Sequence, residues 1–274
     1  MKNYANKLAS KLRTFSALFL VAMRIDFETG INFFLRYLWI VFLCTTYRFV
    51  FNASLLGKEI PLGSYKMGFP LFLISGMVLI RIVLTSLKLF DDTLALFRKF
   101  GLIEWIKISP TGWWEIMLAN AAWKGLTLLS EMATLIVSAH YLIGTPAQVF
   151  FQTRVMIPTF LMALAYTGLG MTISGLILLL RRGAFLFPLI HQISLVFGGV
   201  FFPTSLLPRE LNALTSLIPL TSALNSVRIC LVGAPRHAEM ASLIPLGLST
   251  LFCWLTGYTL LRFALQWTQK NGTL

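Results

Sequence analysis

Apolar runs long enough to cross a bilayer alternate with short polar segments along nearly the whole chain. A membrane-crossing helix needs about 20 mainly apolar residues. Runs of that kind fall at 31–51, 67–87, 125–143, 155–180, 184–207 and 243–263, which predicts six spans. Ahead of the first, residues 4–27 place Leu8, Leu12, Phe15, Leu18, Phe19 and Ala22 at helical spacing with basic residues between them. That pattern predicts an amphipathic helix lying in the membrane interface, the alternative being an ordinary solvated helix. The apolar stretch at 15–23 is short and lacks a small-residue cleavage site, so it does not read as a removable signal peptide. The expected organisation is one all-α domain over 1–274, with an interface helix at 1–30 and a six-span bundle at 31–274.

Two segments break the alternation. Residues 101–114, GLIEWIKISPTGWW, form a short amphipathic stretch with charges on both sides, set between two apolar runs. A short helix stopped by Ser109-Pro110 would make a stiff handle for a soluble partner, with Trp113 and Trp114 anchoring the turn that follows. From Gly198 to Gly233 the sequence stays apolar for longer than one span can use, yet Pro203, Pro208 and Pro219 cut it into pieces too short to cross. Such pieces are tolerated at membrane depth where protein buries them or they line a cavity, which predicts two half-helices dipping back from the outer face. The alternative is a plain external loop.

Composition agrees with a polytopic membrane protein: 57% hydrophobic and 12% charged, against about 45–50% and about 25% in soluble domains. The net charge of +13 comes from basic residues beside apolar runs rather than on a soluble amphipathic face, so the anionic inner leaflet is the expected partner and nucleic acid is not. With the N-terminus inside, fourteen of the 23 Lys and Arg fall on the inner side and seven on the outer, Arg228 among the seven. Arg36 and Arg81 lie inside spans, close enough to the inner interface for their heads to snorkel. This bias places both termini in the cytoplasm.

A search for chemistry finds no catalytic constellation. His140, His191 and His237 are isolated, the three cysteines are scattered through apolar runs, and Gly57-Lys58 lacks both the first glycine and the Ser/Thr of a phosphate loop. No metal and no cofactor site is expected in the chain. Glu131 stands apart, because it lies six residues beyond Gly125, or about 9 Å deep, where a short carboxylate stem cannot reach water. It is expected to face the bundle, paired with a polar or cationic neighbour or protonated, with a place on a transport path as the alternative. Phe201 and Phe202, just before Pro203, are candidates for lining an outer gate, with lipid anchoring as the alternative.

In this order of parts the chain resembles the membrane subunits of type-2 ABC transporters, the exporter permeases. Gly101-Leu102-Ile103-Glu104 followed by Ser109-Pro110 is similar to that family's coupling segment. Gly198-Gly199-Val200-Phe201-Phe202-Pro203 with Leu207-Pro208 is similar to its span-five signature, and Ile218-Pro219-Leu220-Thr221 to the stretch that follows. The motifs are degenerate and gain their force from combination and order, over nearly the whole chain. The resemblance implies a coupling helix around Glu104, and an outer gate and path over Phe201, Phe202, Pro203, Leu206 and Glu131. It also implies a homodimer or heterodimer of permeases in the bacterial plasma membrane, driven by a separate ATPase subunit that binds ATP and Mg. The exported substrate would be amphipathic: a lipid-linked glycan, a lipid or a hydrophobic natural product. Other classes are a polytopic membrane enzyme acting on lipids, which needs acids or histidines clustered at one interface, and a nontransporting scaffold or sensor.

Overall fold

The structure, a computed structural model, describes residues 2–28, 30–54, 59–62, 65–100, 113–144, 150, 152–180, 183–204, 208, 210, 215 and 217–271. Eight helices occupy them: α1 Lys2–Glu28, α2 Gly30–Ser54, α3 Phe69–Phe100, α4 Trp113–Ile143, α5 Thr153–Leu180, α6 Leu186–Phe197, α7 Pro219–Leu231 and α8 Arg236–Asn271. Four contain windows long and apolar enough to cross a membrane: Phe69–Leu94, Glu115–Leu142, Thr153–Leu180 and Glu239–Thr268. The apolar parts of α2, Phe33–Thr46, and of α6 are shorter.

The helical fold is as expected, with one short hairpin added: β1 (Glu59–Leu62) and β2 (Tyr65–Gly68) pair antiparallel, with Ile60 opposite Met67 and Leu62 opposite Tyr65. Two residues, Gly63-Ser64, connect the strands, a glycine-first dipeptide of the kind that favours tight hairpins. Ile60 and Met67 pack with Phe72 and Leu73 at the start of α3 and against Leu231 and Val232 after α7. Among the described residues of the fifth apolar run, 184–207, the α-helix covers Leu186–Phe197. Its 12 residues rise about 18 Å, well short of a hydrocarbon core of about 30 Å. Elsewhere the helices outrun the apolar runs; α4 begins at Trp113 rather than 125.

Side-chain contacts establish the helix directions. Tyr37 meets Ser130 and Cys44 meets Ser138, so α2 and α4 run parallel. Arg81 meets Glu131 and Thr93 meets Asn120, so α3 opposes α4. Thr250 donates to the Leu161 carbonyl, Gly257 lies against Gly168 and Gly175 against Leu261, so α5 and α8 run parallel. The hairpin end of α3 adjoins the end of α7, and the start of α5 joins the start of α8 through Arg154 and Glu239. At this same end α6 finishes, its Val200 turn lying against Gly76 of α3. The order α2, α3, α4, α5, α6, α8 therefore alternates in direction along the chain.

The close approach of α5 and α8 is made by glycine. A Cβ built on Gly257 would stand 2.2 Å from the Gly168 carbonyl oxygen, and one on Gly168 2.6 Å from the Cys253 backbone. Between apolar helices in lipid there is no gain from expelling water, so backbone proximity and van der Waals contact carry the association. The opposite face of α8, with Leu248, Leu251, Phe252 and Leu255, remains exposed, as a lipid-facing surface requires.

Candidate functional site

Two polar clusters lie in this bundle, both strung along α3. The first is centred on Glu131 of α4, which is 3% exposed. Its carboxylate takes Arg81 Nε of α3 at 2.7 Å and Arg36 Nη1 of α2 at 3.3 Å. Arg36 also stands 3.9 Å from Asp26 of α1, which in turn meets Lys124 at 3.7 Å. Lys124 reaches Asp92 of α3 at 3.4 Å. A buried carboxylate that kept one face unpaired would be expensive, and two guanidiniums from two helices meet that demand. Arg36 and Arg81 thus both pair with Glu131 while each side chain stays about a quarter exposed.

Trp123 extends this cluster to α1. Its indole N–H donates to Asp26 Oδ2 at 3.0 Å, while Phe19 packs edge-on at 5.7 Å and Phe27 at 5.9 Å between centroids. Trp123 is a buried post on which the amphipathic face of α1 docks. Four helices, α1 to α4, are thereby tied at the level where α3 leads toward residues 101–112 and α4 leads away from them.

The second cluster surrounds Arg228 of α7, 2% exposed. Nη1 donates to the Gly199 carbonyl at 2.9 Å, Nη2 to the carbonyls of Phe72 at 3.2 Å and Val200 at 3.3 Å, and Nε to Ser75 Oγ at 3.3 Å. The guanidinium carbon lies 3.4 Å from the centre of the Phe72 ring, a cation–π contact. Only an arginine fork can serve acceptors spread over two elements in this way. No carboxylate pairs with it among the described residues. Its acceptors belong to the start of α3 and to the turn after α6, where Gly199 adopts φ +81°, a left-handed conformation that glycine takes without strain. Arg228 therefore cannot count as an exposed outer charge, and the outer tally falls from seven to six.

A third contact closes the same end. Arg154 at the start of α5 meets Glu239 of α8 at 2.9 Å and donates to the Ala234 carbonyl. Deeper in the bundle, the buried Tyr166 hydroxyl donates to Ser194 Oγ at 2.8 Å and ties α5 to α6.

Of the residues singled out from the sequence, Gly101, Glu104, Ser109, Pro110 and Leu206 lie outside the described residues. Trp113 and Trp114 open α4. Phe201, 38% exposed, with Phe202 and Pro203 directly follows the turn that Arg228 holds. Glu131 pairs with Arg36 and Arg81, and the two clusters occupy different levels of α3. The first half-helix expected after Pro203 falls largely outside the described residues; α7, at the place of the second, is present and mostly buried. Among the described residues no three His, Cys, Asp or Glu gather as a metal site.

The ABC-2 type transporter family model matches residues 15–232, from within α1 to the end of α7. The chain belongs to this family. No curated protein matches it in sequence. As an ABC-2 permease it is a multi-pass membrane protein and a transport subunit, and membership implies an ABC ATPase as its partner.

The Glu131 cluster was half legible, since a lone carboxylate deep in an apolar run signals a hidden partner. The Arg228 cluster was missed. Its available signal was an arginine flanked by Val227, Ile229 and Cys230 within a run with no nearby acid.

Proposed function

We propose that this ABC-2 permease exports an amphipathic substrate as one half of a permease dimer, powered by a separate ATPase. The family match carries this reading. On it, residues 1–274 form a single permease domain of six spans, α2 to α6 and α8, with both termini in the cytoplasm of a bacterium. The parallel course of α5 and α8 supports the count: if both cross, the chain between them crosses back, and α6 is the apolar helix available. Because α6 is short, the Val200 turn and α7 fill the remaining depth as a re-entrant cap on the outer side.

Residues 101–114 then sit on the inner side as the coupling helix, with Glu104 toward the ATPase. A push there enters α3 and α4 together, because Glu131 with Arg81 and Asn120 with Thr93 hold the pair as one unit. At the far end of α3 the same displacement reaches Phe72 and Ser75, the acceptors of Arg228, and thus the turn that leads into Phe201, Phe202 and Pro203. The contacts along α3 support this route; ATP and Mg stay with the partner.

The purified chain alone is expected to hydrolyse no ATP and to co-purify with an ABC ATPase when the two are expressed together. Glu104→Lys should insert normally yet lose transport and transport-linked hydrolysis. ATP hydrolysis by the chain alone would overturn the reading, and unchanged transport in Glu104→Lys would remove the handle from residues 101–114.

A further inference from the structure

The polar contacts gather the helices into two groups. Glu131, Asp26 and Lys124 tie α1 to α4 together. In the other group Tyr166 with Ser194 joins α5 to α6, Ser226 with Ser242 joins α7 to α8 at 2.7 Å, and Arg154 with Glu239 joins α5 to α8. The turn after α6 belongs with this second group, since Leu220 of α7 packs on Gly198. Apolar packing runs between the groups, and Arg228 adds a polar bridge at one end of the bundle. Two of its acceptors, the Gly199 and Val200 carbonyls, lie in its own group; the Phe72 carbonyl and Ser75 Oγ lie on α3.

This bridge differs in kind from the ion pairs. Parting Glu131 from its arginines would leave uncompensated charges of both signs away from water, which keeps α3 with α4. None of the four acceptors of Arg228 carries a charge. Its bonds to α3, at 3.2 and 3.3 Å, are longer than the 2.9 Å bond to Gly199. Parting it from α3 exposes one carbonyl and one hydroxyl, and Ser75 already donates to that carbonyl. Water entering at that end would rehydrate the guanidinium and offset the loss. Beside the bridge, Gly76 of α3 meets the Val200 backbone without a side chain of its own, so nothing there hooks α3 to the turn. The contact can hold the seam shut and can also let it open.

We propose that Arg228 is the latch of the outer gate, closed when it clasps Phe72 and Ser75 of α3 and open when it releases them while keeping Gly199 and Val200. Displacement of α3 by the ATPase breaks the clasp, and Phe201, Phe202 and Pro203 part from α3 together with α7. Arg228 is a positioning residue, which acts on the gate through the turn after α6. The proposal rests on the transport reading above and adds which contacts must part.

The full chain, co-expressed with its ATPase in spheroplasts, tests this. In a background lacking Cys44, Cys230 and Cys253, Phe202→Cys reports the gate by its rate of reaction with a membrane-impermeant thiol reagent added outside. Labelling should be faster with the active ATPase than with one that cannot hydrolyse ATP. Ser75→Asp gives Arg228 a carboxylate on α3; it should raise the melting temperature and abolish that increase in labelling. Ser75→Ala should speed labelling several-fold even without hydrolysis. A contact that only stabilises the fold would raise the melting temperature in Ser75→Asp and leave labelling as it was, and that result overturns the latch. So does unchanged labelling in Ser75→Ala, which decides the matter if Ser75→Asp does not fold. Equal labelling with both ATPases before Ser75 is changed would overturn the transport reading itself, and the latch with it.

Discussion

Arg228 and Glu131 solve the same problem, a charge taken out of water, by opposite means. Glu131 is met by opposite charges from two helices, whereas Arg228 is met by the backbone carbonyls of Phe72, Gly199 and Val200. Ser75 donates to the Phe72 carbonyl as well, so removing the arginine orphans chiefly the carbonyls of Gly199 and Val200. A buried unsatisfied group costs about 1–3 kcal/mol, while relief from burying the charge offsets part of the loss. Arg228→Met, which keeps the stem volume, should therefore destabilise the protein by about 2–4 kcal/mol. Arg228→Lys should be intermediate, because an ammonium cannot span acceptors on two elements. Thermal unfolding in detergent reads both. A wild-type melting temperature in Arg228→Met would mean that the turn after α6 holds without the arginine.

Among the helices, α5 and α8 make the contact that is most sensitive to a single atom. At Gly257 the atom a Cβ would strike is the Gly168 carbonyl oxygen, which belongs to a helix backbone and cannot rotate away. Overpacking typically costs about 1–3 kcal/mol, and Gly257→Val should fall at the upper end of that range. Gly247 lies in the same helix with nothing within 4 Å of its Cβ position. Gly247→Ala should gain up to about 1 kcal/mol from helix propensity. Comparison of the two unfolding temperatures checks the packing. Similar small effects at both positions would mean that α5 and α8 do not approach this closely. Pro245 in α8 and Pro158 in α5 do not break these helices, a reminder that neighbouring helices in a bundle tolerate a missing backbone bond.

For the molecule as a whole, alternating helix directions make a topology that labelling can test. In a background lacking Cys44, Cys230 and Cys253, single cysteines near Arg209 and His237 should react with a membrane-impermeant thiol reagent applied outside. Cysteines near Arg98 and Arg182 should stay protected until the cell is opened. Labelling of the 209 and 237 positions from opposite sides would mean that α7 crosses the membrane, and the re-entrant cap would be abandoned. The sequence by itself determined the class of the protein, its amphipathic first helix and most of its long helices, because bilayer thickness and helical periodicity are written in runs of neighbouring residues. The hairpin at 59–68 left only the signal of Gly63-Ser64. Tertiary structure alone decided that Trp123 receives α1, that Arg36 and Arg81 turn to Glu131, and that Arg228 closes on carbonyls 28 to 156 positions away. Each of these depends on which helices stand side by side, and a buried polar group specifies that it needs a partner without specifying from which element the partner comes.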